Sequence, residues 1–102
     1  MSVFKKIGNK LDISYGKIKE YKIEGKIIAV ANINGKYLAF DGLCPHLQCP
    51  LAGGSLKDDI ITCYCHGAKF DITNGKVISG PTKKPLQVYK VKTEGEDILV
   101  KL

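Results

Sequence analysis

All four cysteines and both histidines of this 102-residue chain fall in two short segments, CPHLQCP (44–50) and CYCHG (63–67), with twelve residues between them. Each segment carries two cysteines and one histidine. Thiolates and imidazoles gathered in this way are the ligand types of transition metals. The fold must therefore hold two loops as a site, on a scaffold that the rest of the chain supplies.

That scaffold reads as β. KIKEYKI (17–23), KIIAVANI (26–33) and KYLAFD (36–41) are short runs rich in β-branched and aromatic residues. Glu24-Gly25 and Asn34-Gly35 punctuate them, the second being a two-residue hairpin signal. The Asn-Gly pair recurs at Asn74-Gly75, between AKFDIT and KVIS, and predicts the same turn there. LQVYKVK and DILVKL flank Glu94-Gly95 and close the chain. No window keeps a helical period for long, and LAGGSL (51–56) has room for little more than one turn. Residues 42–85 hold all the Cys and His, all four prolines and six of the eleven glycines. The expectation is a single all-β domain, with a base from 1–41 and 86–102 and a site-bearing lobe at 42–85.

A chain this short buries a marginal core, so a cross-link or a bound metal would help it. The net charge is +6 and all 16 basic residues are lysines. They are scattered and no arginine accompanies them, which reads as a solvated surface and not as a nucleic-acid footprint. Such a surface can still steer the protein to an acidic partner. MSVFKKIGNKLD has no apolar run behind Lys5 and Lys6, so it does not read as a secretory signal. IIAVANI (27–33) is too short to span a bilayer. A soluble, cytoplasmic protein is expected.

The six ligand-type residues admit several arrangements. Two Cys-His pairs, Cys44 with His46 and Cys63 with His66, would make a structural zinc site with mixed ligands. Cys44, Cys49, Cys63 and Cys65 would make a four-cysteine [2Fe–2S] site, but the plant-type spacing is incomplete and both histidines are left idle. A Cys-His nucleophilic pair lacks an orienting third group. The remaining arrangement gives Cys44 and Cys63 to one iron, and His46 and His66 to the other. In it, Cys49 and Cys65 are either two small buried thiols or a cross-link between the loops.

The stretch CPH…CYCHGAKFDITNGKVISGPTKKPLQVY resembles the Rieske pattern: C-x-H, a spacer of this length, C-x-x-H-G-x-x-F-D, a G turn, a G-P loop, then P-L-x-x-Y. The likeness is dense over 42–89; the first forty residues match only in strand pattern. It implies a Rieske-type β-sandwich-like base with a small cluster-binding lobe. It also implies one [2Fe–2S] cluster held by Cys44, His46, Cys63 and His66, and a soluble one-electron carrier, not an enzyme. Gly67, Ala68 and Phe70 would support the second ligand loop, and Gly80-Pro81 a third loop over the cluster. Two ferric ions then balance two sulfides and two thiolates, so the potential lies above that of four-thiolate clusters. The ligand imidazoles would bind through Nδ1 and show Nε2 to solvent, and the potential would fall by about 59 mV per pH unit once one proton is coupled.

CPHLQC and CYCHG also resemble the loops of Rieske proteins from quinol-oxidising complexes, where the extra cysteines are bonded. That implies a Cys49–Cys65 disulfide, although a cytoplasm normally keeps thiols reduced. Those proteins carry Gly-Ser-x-Tyr after the second histidine. This chain has Gly67-Ala68-Lys69-Phe70 and lacks both hydroxyls, which implies a lower potential. Tyr64 stands where the family usually has Pro. The expected partners are a redox donor and acceptor, with a monomeric carrier as the default. The alternatives are a component or subunit of a larger oxidoreductase, such as an oxygenase or a nitrite-reductase-like system, and, from another class, a structural zinc module.

Overall fold

The computed structural model describes residues 4–45, 48–65, 67–80 and 83–101. Ten strands are found among them: β1 (Phe4–Asn9), β2 (Ile18–Ile23), β3 (Lys26–Ile33), β4 (Lys36–Asp41), β5 (Ser55–Lys57), β6 (Ile60–Thr62), β7 (Lys69–Asp71), β8 (Val77–Ser79), β9 (Val88–Glu94) and β10 (Asp97–Lys101). Single 3₁₀ turns at Lys10–Asp12 and Leu51–Gly53 complete the described structure. No helix among the described residues is long and apolar enough to cross a membrane.

The strands form two antiparallel sheets. Six run in the order β1-β10-β9-β4-β3-β2, and four short ones in the order β5-β6-β7-β8. The larger sheet curls so that Tyr21 of β2 covers Gly8 of β1, where any Cβ would overlap the ring. The Tyr21 hydroxyl donates to Asp12 at 3.0 Å, and Asp12 also accepts the Asn9 amide at 3.0 Å. Burial, reinforced by this carboxylate, pushes the Tyr21 hydroxyl above its ordinary range. The amide of Asn9 and the tyrosine hydroxyl hold Asp12 below the usual carboxylate range.

β3 explains how the sheets stack. Its apolar run is unbroken because both faces are covered. Ile28 and Val30 point into the base, with Ile13, Ala39, Ile98 and Val100. Ala29 and Ala31 point the other way, toward Phe40, Leu51, Ile61, Phe70 and Ile72. The two alanines are small, so the four-stranded sheet can approach closely on that face. Asn32 is the buried polar residue among the described core positions. Its amide donates to the Ile13 carbonyl at 2.8 Å and its oxygen accepts the Gly35 amide at 2.9 Å.

The turns follow their sequence signals in part. Glu24-Gly25 (φ 50° and 78°) and Asn34-Gly35 (φ 52° and 91°) close two-residue hairpins with both central residues left-handed. At the chain's last hairpin Glu94 still pairs with Asp97, so the turn is Gly95-Glu96. Asn74-Gly75 is not a two-residue turn. It lies in a longer connection, because Asp71 accepts from the amide and hydroxyl of Thr73 and Asn74 accepts from Lys76. Gly75 has φ 81° and rests on the backbone of Leu86, whose amide donates to the Gly75 carbonyl at 2.8 Å. Gly75→Ala puts a Cβ into the Leu86 carbonyl in a left-handed conformation. We expect it to cost about 2–3 kcal/mol, read as a lower urea midpoint at unchanged m-value.

Candidate metal centre

The two Cys-His segments leave the ends of β4 and β6 as loops of the same construction. In the first, the Cys44 amide donates to the Cys49 carbonyl and the Gln48 amide to the Cys44 carbonyl, both at 2.8 Å. In the second, the Cys63 amide donates to the Ala68 carbonyl at 2.8 Å and the Gly67 amide to the Cys63 carbonyl at 3.0 Å. The offsets match: first cysteine to the residue five later, and the residue four later back to the cysteine. The backbone matches too, since Gln48 (φ 61°) and Gly67 (φ 74°) are both left-handed. Gly67 takes that conformation without steric cost, whereas a residue with a Cβ takes it at about 1–2 kcal/mol.

Each loop buries its first cysteine at its base. Cys44 and Cys63 are 1% and 2% exposed, and neither is in a disulfide. Cys49 and Cys65 are joined by a disulfide that ties the loops together. The Cys63 sulfur lies within 4.8 Å of both of theirs. Ala68 and Phe70 are fully buried in the same apolar cluster as Cys44 and Cys63. Gly80 (φ 120°) packs its backbone on Ala68, where a Cβ would come 2.6 Å from the Ala68 Cα. The third loop thus meets the second by backbone contact. His46, His66 and Pro81 lie outside the described residues.

Gln48 escaped the reading of the sequence. Its signal was present: aligned on their first cysteines, the two segments place Gln48 opposite Gly67. The packing of the Tyr64 ring over Gly53, where a Cβ would lie 3.1 Å from the ring, had no sequence signal.

The donor set fits a soft metal centre. Two buried thiols sit at equivalent places in paired loops, and no Asp or Glu occurs in 42–57 or 60–70. Residues 3–90 match the Rieske [2Fe-2S] domain. The chain belongs to the Rieske family. It is 35% identical to the ferredoxin component of biphenyl 2,3-dioxygenase from Rhodococcus jostii (strain RHA1), over 95% of this chain and 91% of that one. It is 38% identical to the cytochrome b6-f complex iron-sulfur subunit of Chlorobaculum tepidum over 94% of this chain, and spans 52% of that relative's length. The structure of the Sphingomonas yanoikuyae B1 ferredoxin superposes with a TM-score of 0.91 at 26% identity, covering 98% of this chain and 99% of that one.

This Rieske protein is an electron carrier of the ferredoxin kind, not an enzyme, and its cofactor is one [2Fe–2S] cluster. The cluster supplies one-electron redox chemistry; the chain binds it, excludes water and sets its potential. Cys44 and Cys63 would hold it from an apolar layer, where an electrostatic contact counts for more than in water. The chain offers no hydroxyl at 68 or 70 to share the cluster's charge.

Proposed function

We propose that Cys44 and Cys63 bind one iron and His46 and His66 the other, and that the protein carries single electrons from a reductase to an oxygenase-type acceptor. The observation that carries the ligand assignment is the pair of matched loops, each with a buried cysteine at its base and the other cysteine in the cross-link. The carrier role is supported by the likeness to ferredoxin components of dioxygenase systems along nearly their whole length. A monomer working in the cytoplasm fits a carrier that must meet two partners in turn.

The ligand test is substitution. Cys44→Ala and Cys63→Ala, purified anaerobically, should each lack iron, acid-labile sulfide and visible colour. The double variant Cys49→Ser/Cys65→Ser should keep all three. The opposite pattern would assign the cluster to the wrong cysteines. The carrier test is a pull-down from the source cells. Weak, salt-sensitive recovery of a reductase and an oxygenase supports a carrier, and one tight stoichiometric partner would make the chain a fixed subunit.

A further inference from the structure

The carboxylates of the lobe gather at one end of the small sheet, and three of its five lysines lie toward the other. Lys69 pairs with Thr62 and Ser79, at the end of the sheet from which Cys63 departs. Lys83 and Lys84 follow Gly80, whose backbone rests on Ala68 of the second ligand loop. All three lysines are exposed. The carboxylates of the lobe, Asp58, Asp59 and Asp71, lie at the opposite end, where Lys57 and Lys76 stand among them and leave the charge nearly balanced. Asp58-Asp59 is the turn joining β5 to β6, and Asp71 pairs with Ile60 beside it. Strands of three residues separate the two ends by about 10 Å, close to one screening length at physiological salt. Asp41, at the entrance to the first loop, is part-buried, and Lys26 and Lys84 both act on it.

Tyr64 adds an apolar centre to the basic end. It stands between Cys63 and the disulfide-bonded Cys65, and is 60% exposed. Its ring is supported from beneath by Gly53. An exposed aromatic side chain at the same end of the lobe as Lys69 has the composition of an interface contact beside a charged rim.

We propose that the cluster-bearing end of the protein, with Lys69, Lys83, Lys84 and the exposed Tyr64, is a basic docking face for a redox protein that presents a carboxylate-rich surface. This rests on the electron-carrier reading and names the charge that the partner's docking surface must have. Lysines near the contact point accelerate encounter with an acidic partner and slow it with a basic one, an effect that salt removes.

The test uses one acceptor in two charge forms: native cytochrome c, which is basic, and succinylated cytochrome c, which is acidic. The reduced protein should transfer electrons to the succinylated form about tenfold faster at low ionic strength, with the gap closing as salt rises. Binding of the two oxidised proteins, followed by calorimetry, should show the same preference without any electron moving. The variant Lys69→Glu/Lys83→Glu/Lys84→Glu should reverse both preferences. The variant Lys10→Glu/Lys36→Glu/Lys92→Glu changes net charge equally, but near the β3–β4 and β9–β10 turns of the base. It should retain the preference. Equal effects from the two variants, or no preference in the parent, would overturn the docking face. A protein that binds selectively yet reduces neither acceptor would keep the face and reject the carrier reading.

Discussion

Ala68→Ser combined with Phe70→Tyr will raise the midpoint potential by about 100–200 mV. Both positions are fully buried in one apolar cluster with Cys44 and Cys63, and the Ala68 carbonyl already accepts the Cys63 amide. A hydroxyl at either place therefore enters the layer that holds the two proposed cysteine ligands. A hydrogen bond to a charged acceptor is worth about 1.5–3 kcal/mol. Only the difference between oxidised and reduced states moves the potential, and about 1.4 kcal/mol corresponds to 59 mV for one electron. The sign is fixed by charge: the reduced cluster is the more negative acceptor, so donors favour it. Stability is the control. A buried hydroxyl that finds no acceptor costs about 1–3 kcal/mol. Protein-film voltammetry and urea unfolding on the same variants separate the cases. An unchanged potential with lost stability would mean that the hydroxyls do not reach the sulfurs.

Removing the cross-link is the second large effect. Cys49→Ser/Cys65→Ser frees two positions 16 apart in sequence, and the chain-entropy account gives a loss of about 3 kcal/mol. Small domains have only about 5–15 kcal/mol in total. The hydrogen bonds of the paired motif close each loop on itself, so the disulfide is the covalent tie between them. The expected result is a lower urea midpoint and faster bleaching of the cluster, with the spectrum of the intact cluster unchanged. Unaltered stability would show that the loops are held by packing alone.

Much of this was legible in the residues. β3 and β4 have the ends that their patterns predict, because turn chemistry fixes both: Asn34-Gly35 adopts the left-handed pair that only such residues take cheaply. Asn74-Gly75 has the same letters and a different turn. There Asp71, Thr73 and Asn74 satisfy one another locally, and Leu86, distant in sequence, occupies the space that a tight hairpin would need. The β5–β6 hairpin went unread because three-residue strands around Asp58-Asp59 leave too short a pattern to register. At the site, the spacing of Cys44, His46, Cys63 and His66 carries the proposed ligand set, of which the two cysteines lie among the described residues, and resemblance alone suggested the Cys49–Cys65 pairing that the structure contains. The gathering of the lobe's aspartates at the end away from Cys63 was invisible, because it depends on strand register and not on composition.

The most direct test of the central claim is the low-temperature EPR spectrum of the dithionite-reduced protein, with iron and acid-labile sulfide counted on the same sample. Mixed histidine–cysteine ligation predicts about two irons and two sulfides per chain, and a rhombic signal whose average g lies below that of all-cysteine clusters. A colourless protein with one zinc and no signal would contradict it, and the two loops would then be a structural clasp.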